Sequence, residues 1–319
     1  MRFGVLGPLV VWDGEGREVK VPEAKVRALL ADLLVHDGGP VSADRLIHDL
    51  WGDAPPGNPS GALQAKISQL RRVIGRDRVV RQPPGYRLRL DADEVDAARF
   101  HALVTEARPV RDPRGRAALL TAALELWRGP AYADFADGLF ARGAAQRLAE
   151  QRLSVLEEHA EARLEAGDHA FLAGELVGLV ALHPLRERLR AVQMKALYAA
   201  GRQSEALASY EDLRTRLADE LGVDPSPALA ALHAAVLRQE PGLGAGAYAY
   251  GAPAGGTARP ADRPGGTARP AGRASAQGAT PGPHAGGAGA PPDASAAAGV
   301  QAGGVAPRAA EAPAGAPHT

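Results

Sequence analysis

The chain has 319 residues, and its 37 basic and 37 acidic side chains give a formal net charge of zero at pH 7, which by itself favours neither anionic nor cationic partners. The length allows two domains, and the absence of cysteine excludes disulfide bonds, thiolate zinc sites and cysteine nucleophiles. No apolar run approaches the roughly 18 residues of a membrane span and no signal-peptide pattern is present, so the sequence predicts a soluble, cytoplasmic protein with no membrane partner.

The first part of the chain predicts a small sheet followed by two helices. Residues 1–21 alternate loosely between apolar and polar and are interrupted by turns, as in short antiparallel strands. A helix is predicted to begin at Pro22, because the first helical position needs no amide hydrogen. Ser42 is a suitable cap for a second helix that ends at Gly52. The apolar positions of the two helices are Val26, Leu29, Leu30, Leu33 and Leu34, then Leu46, Ile47, Leu50 and Trp51.

The residues from 58 to 75 predict a third helix with two different faces. Asn58 can cap its N-terminus, Pro59 suits its first position and Gly75 marks its end. Helical spacing makes one face apolar, with Leu63, Ile67, Leu70 and Ile74. The opposite face is small and polar, with Ala65, Ser68, Gln69 and Arg72, flanked by Gln64, Lys66 and Arg71.

A short basic hairpin is predicted directly after this helix. Residues 78–81 and 86–90 alternate around a turn at residues 82–85, as two strands with a tight tip do. Between residues 58 and 90, eight basic residues and the single acid Asp77 give a net charge of about +7, which is typical of a surface that seeks phosphates. A charged helix face is more often only solvated, but the adjoining hairpin and the preceding elements favour nucleic-acid binding.

The order of these elements predicts a winged helix-turn-helix domain over residues 1–94. In this fold the third helix enters a major groove, and the hairpin reaches an adjacent groove or phosphates. Residues 62–72 (ALQAKISQLRR) resemble the recognition helix of OmpR-type response-regulator effector domains, and residues 84–88 (PGYRL) resemble their wing.

Residues 95–240 predict an all-α domain. Helices are expected at 95–107, 114–127, 142–165, 169–182, 185–200, 204–221 and 228–238, separated by glycine and proline. Shifting the chain by about 34 residues, the tetratricopeptide period, superposes Gly167 on Gly201 and Ala162 on Ala196. This spacing favours tetratricopeptide-like helix pairs, and a plain helical bundle is the alternative.

Residues 241–319 predict a disordered tail. Roughly seven in ten of them are alanine, glycine or proline and no periodicity remains, so this segment cannot bury enough surface to offset its chain entropy. The predicted fold class is therefore mainly α with a small β part: a winged helix-turn-helix, an all-α tetratricopeptide-like domain and the tail.

The helical region resembles the bacterial transcriptional activator domain. Residues 127–132 (WRGPAY), 183–187 (HPLRE) and 201–207 (GRQSEAL) are similar to its characteristic stretches. Together with the front domain, residues 1–240 resemble the antibiotic regulatory proteins of the SARP type, the AfsR/DnrI/RedD group. The resemblance implies a transcriptional activator that binds direct repeats in double-stranded DNA near biosynthetic genes. It also implies a homodimer or side-by-side protomers, and recruitment of RNA polymerase through the loop at residues 53–60.

The predicted DNA contacts lie on the third helix and the hairpin. Base edges are assigned to Gln64, Lys66, Ser68 and Gln69, and phosphates to Arg71 and Arg72. The wing adds Arg81, Gln82 and Arg87.

The sequence predicts neither an enzyme nor a cofactor. It contains no phosphate-binding loop, no convincing metal-ligand spacing among its nine histidines and no glycine-flanked serine elbow. The alternative function is a tetratricopeptide-like adaptor that binds proteins and whose basic front domain is a non-specific docking module. Such an adaptor would bind DNA without sequence preference and with a shallow dependence on salt.

Overall fold

The computed structural model describes residues 1–240 and 242–243. The front part is built from β1 (Arg2–Gly4), β2 (Val10–Trp12), α1 (Ala24–Val35), β3 (Val41–Ser42), α2 (Ala43–Trp51), α3 (Pro59–Ile74), β4 (Val79–Gln82) and β5 (Gly85–Leu88). This is the predicted winged helix-turn-helix order. The predicted tail at 241–319 lies outside the described residues except for residues 242 and 243.

Two small antiparallel sheets frame the helices of the front part. Strands β1 and β2 pair with Phe3 opposite Val11. The second sheet has the order β3-β5-β4, with Tyr86 of β5 between Val41 and Arg81. Strand β3 was not expected from the sequence, because two residues followed at once by a helix show no alternation.

Side-chain caps fix the starts of α2 and α3 as predicted. The Ser42 hydroxyl accepts a hydrogen bond from the Arg45 amide at 3.2 Å, and Asn58 Oδ1 accepts one from the Gly61 amide at 2.9 Å. The predicted start at Pro22 is wrong, because α1 begins two residues later. Glu23 is still extended, with φ −113° and ψ 132°, and the extended chain places the Val21 side chain in the core.

Helices make up most of the described residues after 95, close to the predicted positions. They are α4 (Asp96–Ala107), α5 (Pro113–Leu124), α6 (Leu139–Glu165), α7 (His169–Leu182), α8 (Glu187–Ala199), α9 (Gln203–Leu221) and α10 (Pro227–Leu237), with a short 3-10 helix at Ala133–Phe135 before α6. Among the described residues, none of these helices combines the length and apolar composition that a bilayer crossing requires.

One hydrophobic core connects the winged helix to the first helices that follow it. It extends from Phe3 through α1 and α3 to Phe100 of α4, Trp127 and along α6 as far as Ala162, and a second core begins at Ala160 and reaches Leu243. The core therefore crosses residue 94, the predicted limit of the first domain. The division of the chain at 94 and 240 stays a prediction.

Polar contacts also connect the winged helix to the helices that follow it. The Asp96 carboxylate accepts the amide hydrogens of Val5 at 2.8 Å and Leu6 at 3.1 Å. The Arg128 amide donates to the Leu6 carbonyl at 2.7 Å, and its guanidinium donates to the Pro8 carbonyl at 2.8 Å. These bonds hold the segment between α5 and α6 against the loop that follows β1.

The predicted 34-residue repeat is present in the hydrogen bonding of the helix ends. The Asp168 amide donates to the Arg163 carbonyl at 3.1 Å after α6, and the Arg202 amide donates to the Leu197 carbonyl at 2.8 Å after α8. Between them Gly167 and Gly201 have φ of +90° and +77°, as the helix-ending motif of this type requires. Helices α6 and α8 thus end alike, and α7 and α9 follow as their second helices.

Glycine to alanine substitutions should have opposite effects at a helix end with positive φ and inside a helix. Gly201→Ala should lower the free energy of unfolding by about 1–2 kcal/mol, because a Cβ is strained at positive φ although no atom lies within 4 Å of it. The matched control is Gly174→Ala inside α7, where the added Cβ also meets no atom, and it should raise stability by about 0.5–1 kcal/mol. Urea titration of both variants checks the signs, and equal effects would contradict the role of Gly201.

Candidate nucleic-acid interface

Helix α3 divides into a buried and an exposed face, as its sequence predicts. Leu63, Ile67, Leu70 and Ile74 are each at most 2% exposed and pack in the core with α1 and α2. On the other side, Gln64, Ala65, Ser68 and Arg72 are exposed. Because the apolar face anchors the helix, the polar face with its small and hydrogen-bonding side chains is presented to solvent.

Two other predicted contact residues of α3 are partly buried: Lys66, which was predicted on a flank, and Gln69, which was predicted on the exposed face. Lys66 Nζ forms an ion pair with Glu23 Oε1 at 2.5 Å, just before α1. Gln69 is half-buried, and its Oε1 receives no hydrogen bond from a described residue. The Lys66 ammonium is therefore already engaged within the protein.

Arginine side chains attach the hairpin to the rest of the domain. Arg71 donates from Nε and Nη2 to the Val79 carbonyl at 2.9 and 2.7 Å, which joins the last turn of α3 to β4. Arg78 makes two hydrogen bonds of 2.6 Å to the Glu94 carboxylate. These bonds lower the pKa of Glu94 to about 2, so this pair stays charged at neutral pH.

The tip of the hairpin faces the N-terminal half of α3 across a cleft of about 230 Å³. Gln64 on α3 and Arg81 on β4 both line this cleft, with Tyr86 at its base. The structure thus brings two predicted DNA contacts together from separate elements. Gln82 is exposed beside the tip, and Arg87 is half-buried with no hydrogen-bond partner for Nε among the described residues.

The eight basic residues between 58 and 90 fall into two groups, according to whether their side chains already bind another group of the protein. Lys66, Arg71 and Arg78 bind groups of the protein itself. The other five form no ion pair with any described residue: Arg72, Arg76, Arg81, Arg87 and Arg89. Arg76 and Arg89 were not among the predicted contacts, although their place in the same basic segment was the signal that could have identified them.

Guanidinium groups without protein partners suit phosphate oxygens, and the amide of Gln64 suits a base edge. Among residues 1–240 and 242–243, no group of three or more histidine or acidic side chains is arranged to hold a metal ion.

Comparison with known proteins places the chain in a family. Residues 95–237 match the family described as the bacterial transcriptional activator domain. The chain is 42% identical over 269 residues to the regulatory protein AfsR of Streptomyces coelicolor, an alignment that covers 83% of this chain and 27% of AfsR. It therefore spans only about a quarter of the length of AfsR.

Shorter relatives are covered over most of their length. The chain is 38% identical to the transcriptional regulator RedD of Streptomyces coelicolor, over 76% of this chain and 72% of RedD. It is 37% identical to the regulatory protein DnrI of Streptomyces peucetius, over 76% of this chain and 94% of DnrI.

A solved structure has the same fold. It is Mycobacterium tuberculosis EmbR in complex with a low-affinity phosphopeptide, with a TM-score of 0.70 and 36% sequence identity over 75% of this chain and 65% of that one. This likeness confirms the predicted fold class of a winged helix followed by an all-α region. Together with the match to RedD and DnrI over most of their length, it shows that the chain belongs to the SARP-type antibiotic regulatory proteins, the AfsR/DnrI/RedD family of transcriptional regulators.

Proposed function

We propose that this regulator is a sequence-specific DNA-binding activator of a secondary-metabolite gene cluster. The observation that carries the proposal is the shared cleft between α3 and the hairpin, where Gln64 and Arg81 lie together beside the exposed face of α3. A helix with an exposed row of small and hydrogen-bonding side chains fits a major groove, and the adjacent hairpin then lies over the backbone or the next groove.

We assign each proposed DNA contact from the exposure, charge and existing partners of its side chain. Gln64 and Ser68 are exposed and uncharged, and we assign them to base edges, with Ala65 allowing close approach. Arg72 and Arg81 have no carboxylate partner among the described residues and are assigned to phosphates. Arg87 and Gln82 of the wing contribute in the same way, with Gln69 at the edge of the surface.

Lys66 and Arg71 have a different role in this proposal. The Lys66 ammonium is held by its ion pair with Glu23, and Arg71 already donates from Nε and Nη2 to the Val79 carbonyl. We therefore assign Arg71 mainly to holding the hairpin at a fixed position relative to α3. Its effect on DNA affinity is expected to be indirect.

The relatives support the wider proposal for the whole protein. Membership of this family implies that two protomers bind side by side on direct repeats of double-stranded DNA. It also implies that the protein recruits RNA polymerase. The connection between α2 and α3 contains the exposed residues 53–55 and 57–58, and we assign the polymerase contact to this loop.

Salt dependence gives a quantitative test of the phosphate assignments. The five guanidinium groups that form no ion pair with a described residue predict a slope of log K against log salt no steeper than about −4.5 per protomer. Arg72→Ala should weaken binding equally on all sequences and reduce the slope by about 1. The matched control is Arg111→Ala, which removes an exposed arginine from the loop between α4 and α5 and should leave the slope unchanged. An equal effect of the two substitutions would refute a specific role for Arg72.

The experiment that tests the proposed function is selection of fragments of the source genome by the purified full chain. We expect enrichment of a motif repeated head to tail at about one helical turn, near promoters of biosynthetic genes. Enrichment without a motif would make the basic surface a simple charge patch, and the protein-binding adaptor would then be the better explanation.

A further inference from the structure

A cavity of about 540 Å³ lies far along the chain from the proposed DNA contacts, between α6, α7 and the segment that contains Trp127. Its walls are mainly aliphatic and include Leu153 and Leu156 of α6 and Leu179 of α7. Leu182, which also lines it, is 75% exposed, so the cavity opens to solvent. The volume falls within the range of about 300–1,000 Å³ that is usual for small-molecule sites.

Two polar groups of this cavity lack the partners that their burial calls for. Trp127 is only 9% exposed, and its indole Nε1–H has no acceptor among the described residues. Arg152 is half-buried, with its guanidinium carbon 4.9 Å from the centre of the Trp127 ring, and its Nε also has no partner. Buried donors of this kind are normally satisfied by an acceptor, and each one left alone costs free energy.

The missing acceptor is not supplied by nearby carboxylates of α6. Glu150 forms an ion pair with Arg186, and Glu157 lies 3.8 Å from Arg186 and 3.7 Å from Arg188. Arg152 forms no ion pair with any described residue. The cavity therefore combines aliphatic walls with one cation, Arg152, that has no anion to bind among the described residues.

We propose that this cavity binds a small organic carboxylate with an apolar body. The apolar body occupies the space between Leu153, Leu156 and Leu179, and the carboxylate accepts hydrogen bonds from the Arg152 guanidinium, a charge-assisted pair strengthened by the apolar surroundings. Trp127 contributes the face of its ring, against which the Arg152 guanidinium already lies.

The position of the cavity connects it to the rest of the molecule. Arg128, the next residue after Trp127, is bound through its amide to Leu6 and through its guanidinium to Pro8, at the joint with the winged helix. A carboxylate in the cavity therefore lies against the segment that attaches the helical region to the front part. This places a small-molecule site at a position from which it can bias that attachment.

Calorimetric titration of the full chain with 1-naphthoate and with the neutral 1-naphthamide tests the charge requirement. We expect 1-naphthoate to bind at least about tenfold more tightly than 1-naphthamide. Arg152→Gln should abolish this preference, while the amide's affinity stays the same. Arg142→Gln, which removes an exposed charge on the same helix outside the cavity, should leave both affinities unchanged.

A second variant locates the site. Ala149 is exposed and lines the cavity, so Ala149→Phe can fill the space without disturbing the core, and it should reduce binding of both probes at least tenfold. Circular dichroism and thermal unfolding confirm that the variants are folded. Undetectable binding of 1-naphthoate to the unmodified chain overturns the proposal, as does a charge preference that survives Arg152→Gln or binding that survives Ala149→Phe.

Discussion

Replacement of Phe100 by alanine is expected to lower the free energy of unfolding by about 3–5 kcal/mol, because it leaves a cavity at the centre of the shared core. Phe100 is 1% exposed and meets the Trp127 ring edge to face, with ring centres 5.6 Å apart. It lies where the core of the winged helix continues into α5 and α6. Urea denaturation monitored by far-ultraviolet circular dichroism and tryptophan fluorescence measures the loss.

The matched control is Phe171→Ala on α7. Phe171 is 74% exposed, so the same substitution should change stability by no more than about 0.5 kcal/mol. Because one core extends from Phe3 to Ala162 of α6, we also expect the front part and α4 to lose structure in one transition. A Phe100→Ala protein whose winged helix retains its full stability would contradict a shared core.

The second large effect concerns Asp32, which makes stability depend on pH. Asp32 is 1% exposed within α1, and neither carboxyl oxygen receives a hydrogen bond from a described residue. Burial, and then the charge of Asp49, raise the pKa of Asp32 to about 7, although His36 Nδ1 lies 3.5 Å from Oδ1. The folded protein therefore holds a proton on Asp32 at pH values where the unfolded chain has released it.

The sign follows from this difference in protonation. The unfolded pKa is near 3.8, so the stabilising effect of the bound proton is complete below that value and is lost as pH rises toward 7. A shift of about three units corresponds to a loss of about 4 kcal/mol. Asp32→Asn cannot release a proton, so its free energy of unfolding relative to the unmodified chain should rise by that amount between pH 4 and pH 8.

Urea titrations at a series of pH values measure this difference, since the effects of groups that do not interact with Asp32 cancel between the two proteins. Asp53→Asn is the control, because Asp53 is exposed in the loop before α3 and its substitution should give a flat difference. A flat difference for Asp32→Asn as well would mean that Asp32 is ionised in the folded protein at acidic pH.

Features fixed by local chemistry were predictable from the sequence. The caps Ser42 and Asn58, the end of α3 at Gly75 and the buried stripe of α3 depend only on residues within a few positions of each other. The repeat was recognisable for the same reason, since Gly167 and Gly201 each end a helix by the same local motif.

Features fixed by distant contacts were not predictable in this way. The pairing of Lys66 with Glu23 depends on how α3 lies against the start of α1, and no sequence pattern encodes that distance. The bonds from Arg71 to Val79 likewise depend on the position of the hairpin. The burial of Asp32 was missed because an acidic residue between two leucine pairs is normally expected to face water.

The division of arginines between structural and solvent-facing roles bears on how such regulators can diverge. If the proposed interface is correct, substitutions at Gln64, Ser68 or Arg72 alter what the helix recognises at a cost of no more than about 0.5 kcal/mol in stability, since these side chains are exposed. Arg71 and Arg78 have no such freedom, because they hold the hairpin in place. After gene duplication, one copy can therefore acquire a new operator by few mutations while its scaffold is retained.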